Sequence, residues 1–263
     1  MRTNQAKAKL AAGELSLGTW LSLASPMAAR FLARTALDWL TVDLEHSPAD
    51  WETMGTILGH VADVGMAPLV RVPAARHDYI KRALDSGAYG IVAPMVMDRR
   101  EAEAVVWACK YPPNGNRSVG GALHALNFGA TPEQYYARAN AEILTVIQCE
   151  HIAAVERADE IFSVPGIDAV FVGPNDLRAS MRSVDGKDPS ADAFEAALDR
   201  IFRSCEKNFV AAGIHCFSAE EILMRKAQGW RFLALGSDLS LMLGGLKAEL
   251  GKLDRGGDNL AKY

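Results

Sequence analysis

Cysteine is scarce in this chain of 263 residues. The four that occur, Cys109, Cys149, Cys205 and Cys216, form no CxxC pair. Neither a zinc cluster nor a disulfide framework is expected from them. Cys149 and Cys216 sit inside apolar runs and read as buried, reduced thiols. A basic excess is lacking too. Twenty-eight Lys and Arg stand against 32 Asp and Glu, a formal charge of −4, so the basic face of a nucleic-acid binder is not expected. No apolar run approaches the roughly 18 residues of a membrane span. The first ten residues, Met1 to Leu10, hold none of the apolar core of a signal peptide; they read as a short capping helix, and a cytoplasmic location is expected. Missing as well are the GxGxxG that follows the first strand of a dinucleotide-binding sheet and the GxxxxGK(S/T) of a phosphate loop.

What the chain does have is rhythm. Apolar residues make up 49% and charged residues 23%, the balance of a globular protein with a sizeable core. Strand-like runs fall at about 16–21, 39–43, 67–71, 90–93, 144–149, 168–172, 211–216 and 232–235. Helical periodicity fills most of the gaps: Ser25 to Ala36, Pro48 to Asp63, His77 to Ser86, Arg99 to Lys110, Ile152 to Phe162, Ala191 to Ala212 and Ala219 to Gln228. Strands alternating with such helices make βαβ units and a parallel sheet. Eight units in this length fit a (β/α)₈ TIM barrel, typically ~250 residues, with a doubly wound sheet as the lesser alternative. No linker divides the chain, so residues 1–263 read as a single barrel domain. One segment breaks the rhythm: Tyr111 to Asn140, rich in Gly and Pro, is too long for an ordinary connection. It is expected to cover a site or to make a subunit contact.

Three of the runs end on polar cargo. Trp39-Leu-Thr-Val-Asp43 continues into Leu-Glu45-His46, Leu144-Thr-Val-Ile-Gln148 into Cys-Glu150, and Ala169-Val-Phe-Val172 into Gly173-Pro-Asn175-Asp176. In a barrel, strand ends converge on one face. Glu150 and Asp176 can therefore meet there and, with water and substrate oxygens, form an octahedral site for Mg²⁺ or Mn²⁺. The plainer readings are a helix cap for Asp176 and a surface acid for Glu150. His46 has Asp43 three residues before it, an acid placed to orient the ring as in general base catalysis. Glu45 shares the strand face of Asp43 and is expected just outside a metal's own ligands. Arg71, closing Ala67-Pro-Leu-Val-Arg71, can bind a carboxylate or steady an oxyanion; otherwise it is a partner for a barrel acid. Gln148 can donate to a substrate oxygen or satisfy a neighbour. Trp20 is expected to wall the site, and His124 to reach substrate from the long excursion. Asp85, preceding the fourth strand, belongs to the opposite face of its own barrel, from where it can reach a neighbour's site.

Taken in order, Gly18-Thr-Trp20, Asp43-Leu-Glu-His46, Val70-Arg71-Val-Pro73, Pro94-Met95, Tyr111-Pro-Pro-x-Gly-x-Arg117, Gln148-x-Glu150 and Val172-Gly-Pro-x-Asp176-Leu177 resemble the class II pyruvate aldolases of the HpcH/HpaI family, such as 4-hydroxy-2-oxoheptanedioate aldolases. The resemblance runs to about Gly236. It implies a barrel whose last helix is exchanged between subunits of a homohexamer, and a lyase that splits a 4-hydroxy-2-oxo acid into pyruvate and an aldehyde. It implies Glu150 and Asp176 as ligands of a divalent metal (Mg²⁺ or Mn²⁺, with Co²⁺ as a further candidate) and His46 as the base, held by Asp43. It implies Arg71 at the keto oxygen, Gln148, Gly173 and Asn175 around pyruvate, and Asp85 at a subunit interface. Partners would be small molecules, not nucleic acid or membrane.

Two stretches depart from the family's pattern. Asn175 stands where many relatives carry a small residue. Gly121-Ala-Leu-His124-Ala-Leu-Asn127-Phe-Gly129 replaces a basic, serine-containing stretch, which predicts a less acidic or more apolar aldehyde. Two other activities fit the same residues: an oxaloacetate decarboxylase or macrophomate-synthase-like enolate enzyme and, in another class, a non-catalytic metabolite-binding barrel.

Overall fold

The computed structural model describes residues 1–253. All eight strand-like runs are strands: β1 Ser16–Leu21, β2 Trp39–Asp43, β3 Ala67–Arg71, β4 Gly90–Ala93, β5 Leu144–Gln148, β6 Ala169–Val172, β7 Ala211–Cys216 and β8 Phe232–Ser237. Each pairs in parallel with the next, and β1 pairs with β8 to close the barrel. The runs lack a polar face because both sides are covered, by helices outside and by packed side chains within. Every residue of β2, β4, β5 and β6 is buried.

The barrel interior is filled with aromatic rings, which form the floor beneath the strand ends. Trp39 stacks on Phe232 at 4.6 Å, Phe171 meets Phe232 edge-on at 5.8 Å, and Trp20 leans on Phe171 at 5.5 Å. Gly18 makes this packing possible: a Cβ there would lie 2.0 Å from the Trp39 ring.

The helices start where side-chain caps are available. Ser25, Asp50, Ser190 and Ser218 each accept a hydrogen bond from a backbone N–H in the first turn that follows. The helix Ala191–Lys207 buries Phe194, Ala197, Leu198, Ile201 and Cys205, a stripe at spacings of three and four. It ends before the expected Ala212, because Phe209 turns to a positive φ and the chain enters β7. The expected helix from Ile152 is broken at Arg157 into Ile152–Glu156 and Ala158–Phe162. Three helices lie outside the helical periodicity read from the sequence, Leu123–Asn127, Pro132–Glu142 and Pro174–Ser180, and a fourth, Asp238–Lys252, was expected only as the last helix that the family resemblance implies. Thr131 and Gln134 form a reciprocal capping box at the second of these. All four cysteines are free and buried, as their apolar surroundings predict. Among the described residues, no helix is long and apolar enough to cross a membrane.

The long excursion lies at the end of the barrel where the strands begin, not over the mouth of its own barrel. Arg117, its side chain fully buried, donates to Asp85 at 2.8 Å and to the Tyr135 hydroxyl at 2.9 Å. Phe128 stacks on Tyr89, with ring centroids 3.6 Å apart, just before β4. Asn127 donates to the Gly87 carbonyl. These contacts tie the excursion to the C-terminal end of the helix His77–Asp85, which runs from mouth to base.

Candidate active site

Because all eight strands run the same way, their last residues share one mouth. Asp43 ends β2, Arg71 ends β3, and the sheet register places them side by side. The guanidinium grips the carboxylate through Nε and Nη2 at 2.9 and 2.7 Å. Oδ1 of Asp43 also accepts the backbone N–H groups of Glu45 and His46. Burial works to raise the Asp43 pKa, but the hydrogen-bonded Arg71 outweighs it and holds the carboxyl below its usual range. Arg71 in turn lies over the Trp20 ring at 4.6 Å and reaches Glu45 Oε2 with Nη1 at 3.2 Å.

The expected pairing of Asp43 with the His46 ring does not form. Asp43 holds His46 by its backbone, and the ring faces Glu45, whose Oε2 is 3.8 Å from Nε2. The chain turns immediately after β2, and the Ser47 hydroxyl closes that turn by donating to the Asp43 carbonyl. The turn swings the His46 side chain outward, leaving it 63% exposed at the mouth. Burial raises Glu45, against the lowering pull of Arg71 and His46.

Glu150 follows β5 and Asp176 lies in the helix Pro174–Ser180 after β6. They converge around Gly173: a Cβ there would lie 2.4 Å from Glu150 Oε2 and 3.6 Å from Asp176 Oδ2. Glu150 accepts the Met95 N–H at 2.9 Å and the Gln148 amide at 2.6 Å. Burial pushes its pKa up to about 7, with Asp176 and Glu45 adding to the rise against Met95 and Arg71. The amide expected to meet substrate is thus donating to a carboxylate, and the Gln148 Oε1 has no partner among the described residues.

A cavity of about 220 Å³ opens here, lined by Trp20, Asp43, His46, Arg71, Gln148, Gly173, Asn175 and Asp176. Every one of these was among the candidates read from sequence. Ser22, Phe171, Pro174, His215 and Ser237 complete the lining and were missed, although the period-two inward pattern of β7 could have placed His215. A larger cavity, about 460 Å³, lies around Lys7, Asp168 and Arg231 at the far end of the barrel. Its basic groups are occupied: Lys7 by Asp168, and Arg231 by the carbonyls of Gly13, Lys226 and Trp230. Asp85, His124 and Asn127 are not at this mouth; they cluster with the excursion.

Chemically, four carboxyl groups (Asp43, Glu45, Glu150 and Asp176) are gathered near one guanidinium. Like charges gathered in this way disfavour one another's ionisation, which adds to the rise in Glu150. Among the described residues no three His, Cys, Asp or Glu side chains form a complete metal-binding group. Two carboxylates beside a cavity are nonetheless the all-oxygen donor set of a hard cation that completes its shell with water or substrate.

The chain matches the family described as HpcH/HpaI aldolase/citrate lyase over residues 16–244. It is 36% identical over 247 residues to a hydroxypyruvate/pyruvate aldolase from Paraburkholderia phytofirmans, covering 92% of this chain and 94% of the relative. It is 34% identical over 238 residues to a 5-keto-4-deoxy-D-glucarate aldolase from Shigella dysenteriae, covering 90% and 92%. Among solved structures, a HpcH/HpaI aldolase/citrate lyase family protein from Burkholderia cenocepacia superposes with a TM-score of 0.88. That protein is 32% identical, over 96% of this chain and 100% of that one.

Proposed function

The chain belongs to the HpcH/HpaI aldolase/citrate lyase family, and from this premise we propose that it is a divalent-metal-dependent aldolase cleaving a 4-hydroxy-2-oxo acid reversibly to pyruvate and an aldehyde. It is a carbon–carbon lyase acting on small molecules, as its aldolase relatives indicate. The observation that carries the finer reading is that Asp176 and the Asp43–Arg71 pair line one cavity, with the buried Glu150 carboxylate directly behind its Gly173 wall. Glu150 and Asp176 would hold the cation, Mg²⁺ or Mn²⁺ rather than a soft metal because both donors are oxygen, and once bound it supplies Lewis-acid polarisation of the 2-keto oxygen.

The side chains do the rest. Arg71, fixed by Asp43, Glu45 and Trp20, donates to the keto oxygen and stabilises the enolate as charge develops there. The N–H groups of Asn175 and Asp176, in the first turn of their helix, take the substrate carboxylate. His46 accepts the proton of the 4-hydroxyl, with Glu45 beside its ring to stabilise the imidazolium. The C3–C4 bond then breaks and its electron pair enters the C2–C3 enolate. The aldehyde leaves, and C3 regains a proton to give pyruvate.

The working unit would be residues 1–263 as one barrel in a homo-oligomer, a hexamer by family likeness. The last helix supports this: of Asp238–Lys252 only Asp238 is buried, and Leu241, Met242 and Leu246 face outward. Exchange of this helix with a partner barrel would cover them. Val119, Leu123 and Leu126 of the excursion are exposed as well and would bring Asp85, His124 and Asn127 to an interface. Four free cysteines fit a reducing, cytoplasmic setting.

The test is exchange of the pyruvate methyl protons in deuterated water with Mg²⁺ or Mn²⁺. The expected result is metal-dependent loss of the methyl signal and release of pyruvate from a 4-hydroxy-2-oxo acid. No exchange by the metal-loaded protein would sink the enolate mechanism. Pyruvate formed far faster from oxaloacetate would point to decarboxylation instead.

A further inference from the structure

One side chain in the cavity has no part in the chemistry above. His215 lies near the end of β7, in register with Ala234 of β8, and its ring lines the cavity. It is wedged between aromatic neighbours: Phe217 lies edge-on with ring centroids 4.9 Å apart, and Trp20 is at 6.5 Å. The ring is therefore held in position, yet burial and Arg71 are the whole of what acts on its charge, and no described residue hydrogen-bonds either nitrogen. Burial, and after it the guanidinium of Arg71, pushes its pKa down to about 4. At neutral pH it is an uncharged imidazole, with one nitrogen donating and the other accepting.

This chemistry suits one kind of group. A carboxylate would prefer a cation, and a methyl group would displace water from the imidazole nitrogen that it covers and leave that nitrogen unpaired, at a cost of roughly 1–3 kcal/mol. A hydroxyl can both give and accept. Among its neighbours in this wall, Phe171 has no polar side-chain atom and the Ser237 hydroxyl caps the last helix; the Ser22 hydroxyl is the other lining group that can both give and accept.

We propose that His215 is a specificity-determining residue that reads a hydroxyl group on the carbon chain of the substrate. The protein then favours hydroxylated reactants over their deoxy counterparts. The inference rests on the aldolase reading of the same cavity. The hydroxyl can belong to either reactant: C3 of the 2-oxo acid or C2 of the aldehyde.

The experiment compares kcat/KM in the aldol direction for two matched pairs, hydroxypyruvate against pyruvate and glycolaldehyde against acetaldehyde. It uses the metal-loaded wild type and the variants His215→Phe, His215→Leu and His215→Gln. Phe keeps the ring volume against Phe217, and Gln keeps a donor and an acceptor. The expected result is that Phe and Leu lower the hydroxyl preference for one pair by roughly 10–100-fold, while the deoxy member changes little and Gln retains part of the preference. The pair that responds identifies which reactant carries the hydroxyl. Unchanged ratios for both pairs, or an equal fall for all four compounds, would overturn the proposal while leaving the aldolase reading intact. A wild type that catalyses no pyruvate proton exchange overturns both.

Discussion

The guanidinium of Arg71 meets the carboxylate of Asp43 side-on, through two hydrogen bonds of 2.9 and 2.7 Å, at the matching last positions of neighbouring strands. Asp43 thus orients the Arg71 guanidinium rather than the His46 ring. Asp43→Asn keeps the shape but removes the charge and half of the fork. A loss of roughly 10²-fold in kcat is expected, the scale of losing one well-placed oxyanion donor. Steady-state kinetics beside Asp43→Glu and Arg71→Lys would check this; wild-type kcat in Asp43→Asn would refute the positioning role.

Glu150 sets a pH dependence whose sign can be worked out. Its pKa rises from the usual 4.5 to about 7 on folding. Below 4.5 both the folded and the unfolded chain carry the proton; between 4.5 and about 7 only the folded chain does. In chelator, this group's contribution to stability therefore falls as pH rises through that window and levels off above about 7. Thermal unfolding of wild type against Glu150→Gln should show the slope in the first and its loss in the second. Because a metal must displace the same proton, Mn²⁺ affinity should climb to about pH 7 and then flatten.

Gly173 is where a methyl group would do most harm. Its Cβ would lie 2.4 Å from Glu150 Oε2, closer than atoms can approach, so the carboxylate would have to shift. Gly173→Ala should weaken Mn²⁺ binding by roughly 10–100-fold, the range for disturbing a ligand's support. Calorimetric titration measures it directly, and unchanged affinity would remove Glu150 from the metal site.

Arg117 is a stability residue. Its side chain is fully buried, pairs with Asp85, and lies over the Tyr111 ring at 4.5 Å. Arg117→Met should cost roughly 1–3 kcal/mol, the range for a buried polar group left unpaired, because the Tyr135 hydroxyl and the partly exposed Asp85 both lose their partner. Urea unfolding, with the midpoint falling at constant slope, is the readout. A midpoint within error of wild type would mean that the excursion is anchored by the Phe128–Tyr89 stack instead.

The fold was legible because burial on both faces leaves its mark on each strand separately: Gly90-Ile-Val-Ala93 is apolar throughout, and Trp39-Leu-Thr-Val is apolar but for Thr41 before it ends on Asp43. Two of the helices that escaped notice have weak local signals, whereas Pro132–Glu142 carries a capping box and a Pro in its first turn. The helix Leu123–Asn127 has no side-chain cap, and Pro174–Ser180 starts after Gly173 without one. The last helix buries a single residue of its own chain, so its stripe has no partner within the barrel.

Sequence alone determined that eight parallel strands would form, that their ends would carry Asp43, Arg71, Gln148, Glu150 and Asp176, and that the cysteines would be buried and unpaired. Composition and periodicity are properties of neighbours in the chain, and those features depend on nothing more. Partnership was decided by the tertiary structure. Sheet register gave Asp43 to Arg71 and left Glu45 for the His46 ring. Barrel curvature brought His215 into the cavity, and the Arg117–Asp85 contact drew the excursion to the base of the barrel. A side chain's partner is whatever close packing brings within 3 or 4 Å, and residues 28 or 32 positions apart in the chain, as in those two ion pairs, become neighbours only when the barrel closes.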